Sequence, residues 1–214
     1  MTVLVQIVSL LKGLGLYNET LIAFTSDHGE EFWEHGSLGH GQSLYNELLA
    51  VPLFIKPPLT QHAGRRDVEL PVSTESLLPT LLDLCGIDFN RDALSGVSLT
   101  SLWGEDSDVR ADRGVYSMAL MSHRVEESVI YGGWKYVRSF DPDREELYDL
   151  GLDLLERRDL AAASPRKAAQ LREMIEEHGE ESKRLRAFYG LEDAKVQKDS
   201  EDTRRQLKSL GYIQ

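Results

Sequence analysis

Residues 25 to 47 read TSDHGEEFWEHGSLGHGQSLYNE and hold His28, His35 and His40, three of the chain's six histidines. Asp27 stands directly before His28, and Glu30, Glu31, Glu34 and Glu47 lie in the same stretch. An adjacent carboxylate and imidazole can offer two donors to one cation. A hard divalent ion wants the carboxylate, while imidazole tilts the choice towards zinc or manganese. Two ligands are not a site, because structural and catalytic metals take at least three protein groups. Taken alone, Asp-His-Gly therefore reads first as a turn with helix-capping chemistry. His40 lies between Gly39 and Gly41, and His35 precedes Gly36. A loop this rich in glycine can bring imidazole close to an anion, since no Cβ obstructs the backbone. Each histidine alone reads as a surface-loop residue; three together raise the case for a site. The stretch contains no P-loop, no HExxH and no GxSxG.

The flanking elements say where such a loop would sit. TLIAFTS (20 to 26) is a short apolar run rich in β-formers, and it predicts a strand buried on both faces. A polar loop directly after it lies at the carboxyl end of a strand, where ligands bind in open α/β sheets. Before it, residues 2 to 14 predict an amphipathic or buried helix ending at Gly13 or Gly15. After it, SLYNELLA (43 to 50) has helical character, and VPLFIKPP (51 to 58) predicts a second buried strand. Residues 73 to 87 predict a helix capped by Ser73 or Thr74 and stopped near Gly86. Residues 96 to 106 predict a loop and short helix. Alternating helix and strand up to about residue 110 place the chain in the α/β class.

From GVYSMALMS onward the character changes. Tyr, Val, Ile and Trp, with a turn at Gly132 and Gly133, predict a small antiparallel sheet. Beyond Ser164, helical spacing runs through Leu171, Ile175 and Leu185, and SEDTRRQLKSLGYIQ predicts a further short helix. The expected organisation is 1–112 as an α/β catalytic part, 113–150 as an antiparallel subdomain and 151–214 as a helical tail.

The 214 residues carry a net charge of −12, which argues against nucleic-acid binding, since phosphate contacts need clustered Lys and Arg. An anionic small substrate stays open, because one metal ion reverses the sign of a pocket. Cys85 is the single cysteine, so no intrachain disulfide can form, and it reads as a small buried hydrophobe at a helix end. No run of about 18 apolar residues marks a membrane span. The apolar start lacks a basic n-region and is interrupted by Lys12, so no signal peptide is read there.

The order of these features resembles the sulfatases, within the alkaline phosphatase-like superfamily of metal-dependent hydrolases. The apolar strand, Ser-Asp-His-Gly-Glu, Glu-His-Gly, Gly-His-Gly, Tyr-Asn-Glu and Val-Pro-Leu stand here in the family's order. ESLLPTLLDLCGI, GGWKYVRSFDPDREELYDL and LKSLGYI extend the likeness over nearly the whole chain. The resemblance implies a partial alkaline phosphatase-like sheet flanked by helices, then a small antiparallel β subdomain and C-terminal helices. It implies Asp27 and His28 as metal ligands. His40 would meet the transferred sulfuryl or phosphoryl group, as a substrate-binding and catalytic residue. His35 reads as a packing or supporting residue, and Glu30 and Glu31 as local hydrogen-bonding groups. The implied ion is divalent, with calcium expected and manganese or zinc as alternatives.

The resemblance also implies a nucleophile, a formylglycine made from Cys or Ser in Cys/Ser-x-Pro-x-Arg. None of the seven prolines has that surrounding, and no Asp-Asp pair occurs in the 26 residues before Asp27. The expectation is therefore the carboxyl-terminal half of a sulfate-ester hydrolase, inactive alone, with formylglycine in the other half. Its substrate would be an aryl or carbohydrate sulfate. Two alternatives stand beside it. One is another branch of the superfamily: phosphodiesterase, phosphonate hydrolase or phosphoethanolamine transferase. The other is a non-enzymatic binding module or partner-completed half. Intact relatives are often exported, which leaves the location of this chain open, as is its oligomeric state.

Overall fold

The computed structural model describes residues 3–59, 67–103, 113–120, 125–140, 142–190 and 205. The predicted helix near the carboxyl terminus and part of the 96–106 segment lie outside the described residues. The chain divides into two compact units: Met1–Asp27 with Val51–Asp112, and His28–Ala50 with Arg113–Gln214.

In the first unit, helix α1 (Val3–Gly13) gives way at Gly15, whose φ of +72° only glycine adopts without strain. Strand β1 (Ile22–Thr25) pairs antiparallel with β4 (Leu53–Lys56), from Ile22 opposite Lys56 to Thr25 opposite Leu53. Lys56 donates from Nζ to the Tyr17 and Thr20 carbonyls and lies over the Tyr17 ring, tying the turn after α1 to the strand end. Helix α3 (Leu77–Leu84) begins with a 3-10 turn at Thr74–Ser76, where Ser73 Oγ accepts from the Glu75 amide at 3.2 Å. Fully buried Thr80 then accepts from the Leu99 amide at 2.8 Å, seating the 3-10 helix Leu99–Trp103 on α3.

Two expectations need correction here. The strands expected to be buried on both faces are not: Phe54 is 66% exposed and Phe24 38%. The reason is that among the described residues this sheet has two strands only, and their aromatic face meets itself, with ring centroids 6.1 Å apart. Cys85, expected to be buried, is exposed, because it caps α3 beyond the turn that packs inward. No residue of α1 is buried, which leaves its apolar side chains in the open. No described helix is long and apolar enough to cross a membrane.

The second unit holds a four-stranded antiparallel meander: β5 (Val115–Leu120), β6 (Val125–Tyr131), β7 (Trp134–Phe140) and β8 (Asp143–Asp149). Gly132 and Gly133 turn β6 into β7 with φ of +59° and +78°, the geometry that suits the right-handed twist of a two-residue hairpin. Helix α4 (Pro165–Phe188) starts with Pro at its first position, where the missing N–H costs nothing. It lays Ala168, Leu171 and Ile175 onto Val129, Tyr136 and Leu147, one row of neighbours across β6, β7 and β8. Burying Leu171 completely contributes about 1.5–3 kcal/mol. Arg172 ties the edge by donating to Glu145 at 2.5 Å and to the Tyr136 hydroxyl at 3.3 Å.

The side chains of Lys135, Val137 and Glu146 alternate onto the opposite face of this sheet. That face takes the segment 28–50, which carries the histidines. The short ladder β2 (Glu31–Phe32) with β3 (Leu38–Gly39) folds this segment back on itself, and helix α2 (Asn46–Leu49) closes it.

Candidate active site

The chain leaves β1 at Thr25, and Asp27 closes that stretch of the first unit, accepting from Ser26 Oγ at 3.5 Å. From His28 onward the backbone is fixed by α2. The Gly29 amide donates to the Leu48 carbonyl at 2.8 Å and the Glu30 amide to the Glu47 carbonyl at 3.0 Å. The approach is so close that a Cβ on Gly29 would stand 1.8 Å from the Glu47 oxygen. Glycine at this position is thus a requirement of packing.

With the turn held, His28 and His40 stack, their ring centroids 4.2 Å apart and their planes 29° from parallel. His28 Nδ1 lies 2.7 Å from the Gly29 carbonyl, which can only accept, so Nδ1 carries the proton. The neutral ring then has its lone pair on Nε2. His40 Nδ1 donates to the Glu30 carboxylate at 3.3 and 3.4 Å, and this ring too presents Nε2 as its lone-pair nitrogen. A carboxylate behind an imidazole is the arrangement that orients histidine ligands in metal sites. One donor atom from each of His28, Glu30 and His40 falls within 4.8 Å of the others, the cluster that could hold a metal ion among the described residues.

Two imidazole nitrogens and one carboxylate fit manganese or zinc better than calcium, which takes six to eight oxygens. The same three groups suit an anion as well: with a cation beside His28, a tetrahedral oxyanion would find an N–H donor in protonated His40.

His35 has a different place. Its Nδ1 donates to Glu47 and its Nε2 to the Glu156 carbonyl at 3.0 Å, while its face stacks on Tyr45 with centroids 3.7 Å apart. Both ring nitrogens face acceptors, which calls for the doubly protonated imidazolium. Burial opposes that charge, but the bond to Glu47 and the carboxylates of Glu47 and Glu156 outweigh it and hold the His35 pKa above its ordinary value. The Tyr45 hydroxyl is pushed up to about 12, by burial first and then by Glu146, so it stays a donor to that carboxylate. Glu31 is buried, with Ser43 donating to it, and takes no part in the histidine cluster.

Glu30 is the residue whose place sequence reasoning undervalued: its bond reaches His40, ten positions on, across the β2–β3 turn. The available signal was the short ladder that a Gly-rich loop between two glutamates permits. Also unforeseen are Lys135 and Glu156, a fully buried pair with 2.6 Å between Nζ and Oε1. Lys135 sits on an inward strand position beside Val137, a pattern that marks a charge with a partner.

Comparisons with known proteins bear on the family likeness and the fold. The family model Sulfatase matches residues 2–87. Over these residues the chain is similar to the sulfatases. Arylsulfatase K of Xenopus laevis is 28% identical to it over 177 residues, 78% of this chain and 32% of the relative. A solved structure in complex with its substrate D-glucosamine-2-N,6-O-disulfate superposes with a TM-score of 0.71 at 20% identity, over 88% of this chain and 38% of the other. Phosphonate monoester hydrolase of Agrobacterium radiobacter superposes with a TM-score of 0.64 at 26% identity, over 86% and 38%. The fold is accordingly the α/β, alkaline phosphatase-like fold of the sulfatases, with its small antiparallel sheet followed by a C-terminal helix. The chain spans about a third of the length of that curated relative. Sulfatases are in general dependent on a divalent metal.

Proposed function

We propose that this chain supplies part of the active centre of a sulfate-ester hydrolase acting on aryl or carbohydrate sulfates. The observation that carries the reading is the stacked His28–His40 pair, with Glu30 behind His40. In this reading His28 binds a divalent cation through Nε2, and Asp27, next to it in sequence, is assigned with it on the family resemblance alone. The cation, when bound, would neutralise sulfuryl charge and lower the barrier to attack on sulfur. His40 approaches the same group from the side: Glu30 fixes its ring, and its Nε2–H, when protonated, donates to a non-bridging or leaving oxygen. Manganese or zinc is favoured over calcium by the His28 imidazole. The division into 1–112, 113–150 and 151–214 is retained as the proposed organisation.

A second reading, hydrolysis of a phosphonate or phosphate diester, is favoured by the likeness to the phosphonate monoester hydrolase and by the imidazole at residue 28. The two separate by experiment. The product of the whole reading frame should be assayed on an aryl sulfate and an aryl phosphonate monoester, with and without manganese. Faster turnover of the sulfate, lowered about 10²–10³-fold by His40→Ala, is the expected result. Preference for the phosphonate establishes the second reading, and turnover untouched by His40→Ala refutes the role given to His40.

A further inference from the structure

We propose that the buried Lys135–Glu156 ion pair is a positioning element for the candidate site, holding the Gly29–Glu30 turn in register through Asn46 and His35. The path is continuous. Glu156 Oε2 accepts the Asn46 amide at 2.6 Å, and Lys135 Nζ donates to Asn46 Oδ1 at 3.0 Å. Asn46 Nδ2 donates to the Leu154 carbonyl at 3.3 Å. The Glu156 carbonyl takes His35, whose other nitrogen holds the Glu47 carboxylate. The start of α2 is therefore gripped at Asn46 and Glu47 by groups from the turn after β8. The carbonyls of Glu47 and Leu48 in turn hold the amides of Glu30 and Gly29. From there only one side chain separates the pair from His40, and none from the His28 backbone.

Two features of Glu156 set it apart from an ordinary stabilising contact. A wholly buried ion pair contributes little net stability, because desolvation of both charges offsets their attraction. Glu156 also has a φ of +53°, in the left-handed region that glycine occupies far more readily. A residue that carries two costs at once and reaches the site loop by both its side chain and its carbonyl is held for geometry.

The consequence for cation binding rests on the proposed metal site; the consequence for the turn does not. The experiment therefore has two arms on the full chain. In the first, amide exchange by NMR compares wild type with Glu156→Gly, which removes the carboxylate while relieving the backbone. Exchange at Gly29 and Glu30 should quicken at least about tenfold more than at Val129 and Val137 in the sheet. Lys135→Met with Glu156→Gln, which removes the pair and the Lys135–Asn46 bond while stranding no charge, should also quicken exchange at Gly29 and Glu30, and wild-type rates there would overturn the role given to the pair. In the second, zinc titration by calorimetry should show affinity about 10–100-fold weaker in Glu156→Gly and weakened also in the double variant. Leu171→Ala, which loosens the sheet–helix core instead, should lower the melting temperature without weakening zinc. Unchanged exchange at Gly29 and Glu30 overturns the proposal, as does equal loosening of the turn by Leu171→Ala. A wild-type chain that takes up no zinc refutes the metal reading, and the exchange arm still decides this one.

Discussion

Gly29→Ala is the sharpest perturbation of the site. The new Cβ would stand 1.8 Å from the Glu47 oxygen, 2.8 Å from its carbonyl carbon and 3.2 Å from Leu48 Cα, all backbone. Bringing the first contact out to 3.0 Å, the closest real Cβ atoms approach, needs a shift of at least 1.2 Å, the difference of the two distances. No rotamer can relieve it, so the turn and α2 must part. That movement breaks the amide bonds of 2.8 and 3.0 Å to Leu48 and Glu47. Overpacking costs about 1–3 kcal/mol and the two bonds about 1 kcal/mol each, a local loss of roughly 3–5 kcal/mol. If the second unit melts as one body, the melting temperature falls by about 6 °C or more, at 2–4 °C per kcal/mol for a chain of this size. A displacement of about 1 Å at catalytic groups costs on the order of 10²-fold in rate, and manganese affinity should fall with it. Circular dichroism melts and calorimetric titration read both. An alanine variant that melts with wild type and binds manganese equally well would refute the claim that this close approach sets the site.

Other outcomes follow from the same contacts. Because the His35 pKa is raised on folding, the stability it contributes is fully present below the unfolded value of 6.5 and is lost as pH rises through the higher folded value. The gap in stability between wild type and His35→Gln should accordingly narrow as melts are taken from below pH 6.5 upward, and a widening gap would contradict the imidazolium assignment. Leu171→Ala should cost about 2–5 kcal/mol in denaturant unfolding, since its side chain is fully buried against the sheet. Arg172→Ala, removing a surface ion pair, should cost about 1 kcal/mol or less. Gly133→Val, at φ +78°, should destabilise the β6–β7 hairpin by about 1–3 kcal/mol, measurable in the same unfolding curves.

Much of this was legible in the sequence because it rests on local chemistry. Ser73 before an apolar helix, Gly132-Gly133 between β-rich runs, and Leu171 and Ile175 at helical spacing each signal their structure within a few residues. The small antiparallel sheet and the helix after it followed from those signals. Burial of the 22–25 and 53–56 strands was not legible, since an apolar run shows what could be covered and not what covers it. The histidine cluster was visible as composition, and only the fold shows that His28 and His40 stack while His35 turns away to Tyr45 and Glu47. Glu30, Asn46, Lys135 and Glu156 escaped because their partners lie 10, 110, 21 and 110 positions away for the pairs His40, Glu156, Glu156 and Asn46. A polar side chain's partner is set by tertiary packing, which carries no period along the chain.

The most direct test of the central claim is cobalt titration of the full chain, followed by the visible absorption that cobalt acquires when protein nitrogens replace water. A cation on His28 with His40 stacked beside it predicts a saturable signal that is abolished by His28→Ala and altered by His40→Ala. A signal that never saturates, or one that His28→Ala leaves intact, would contradict it.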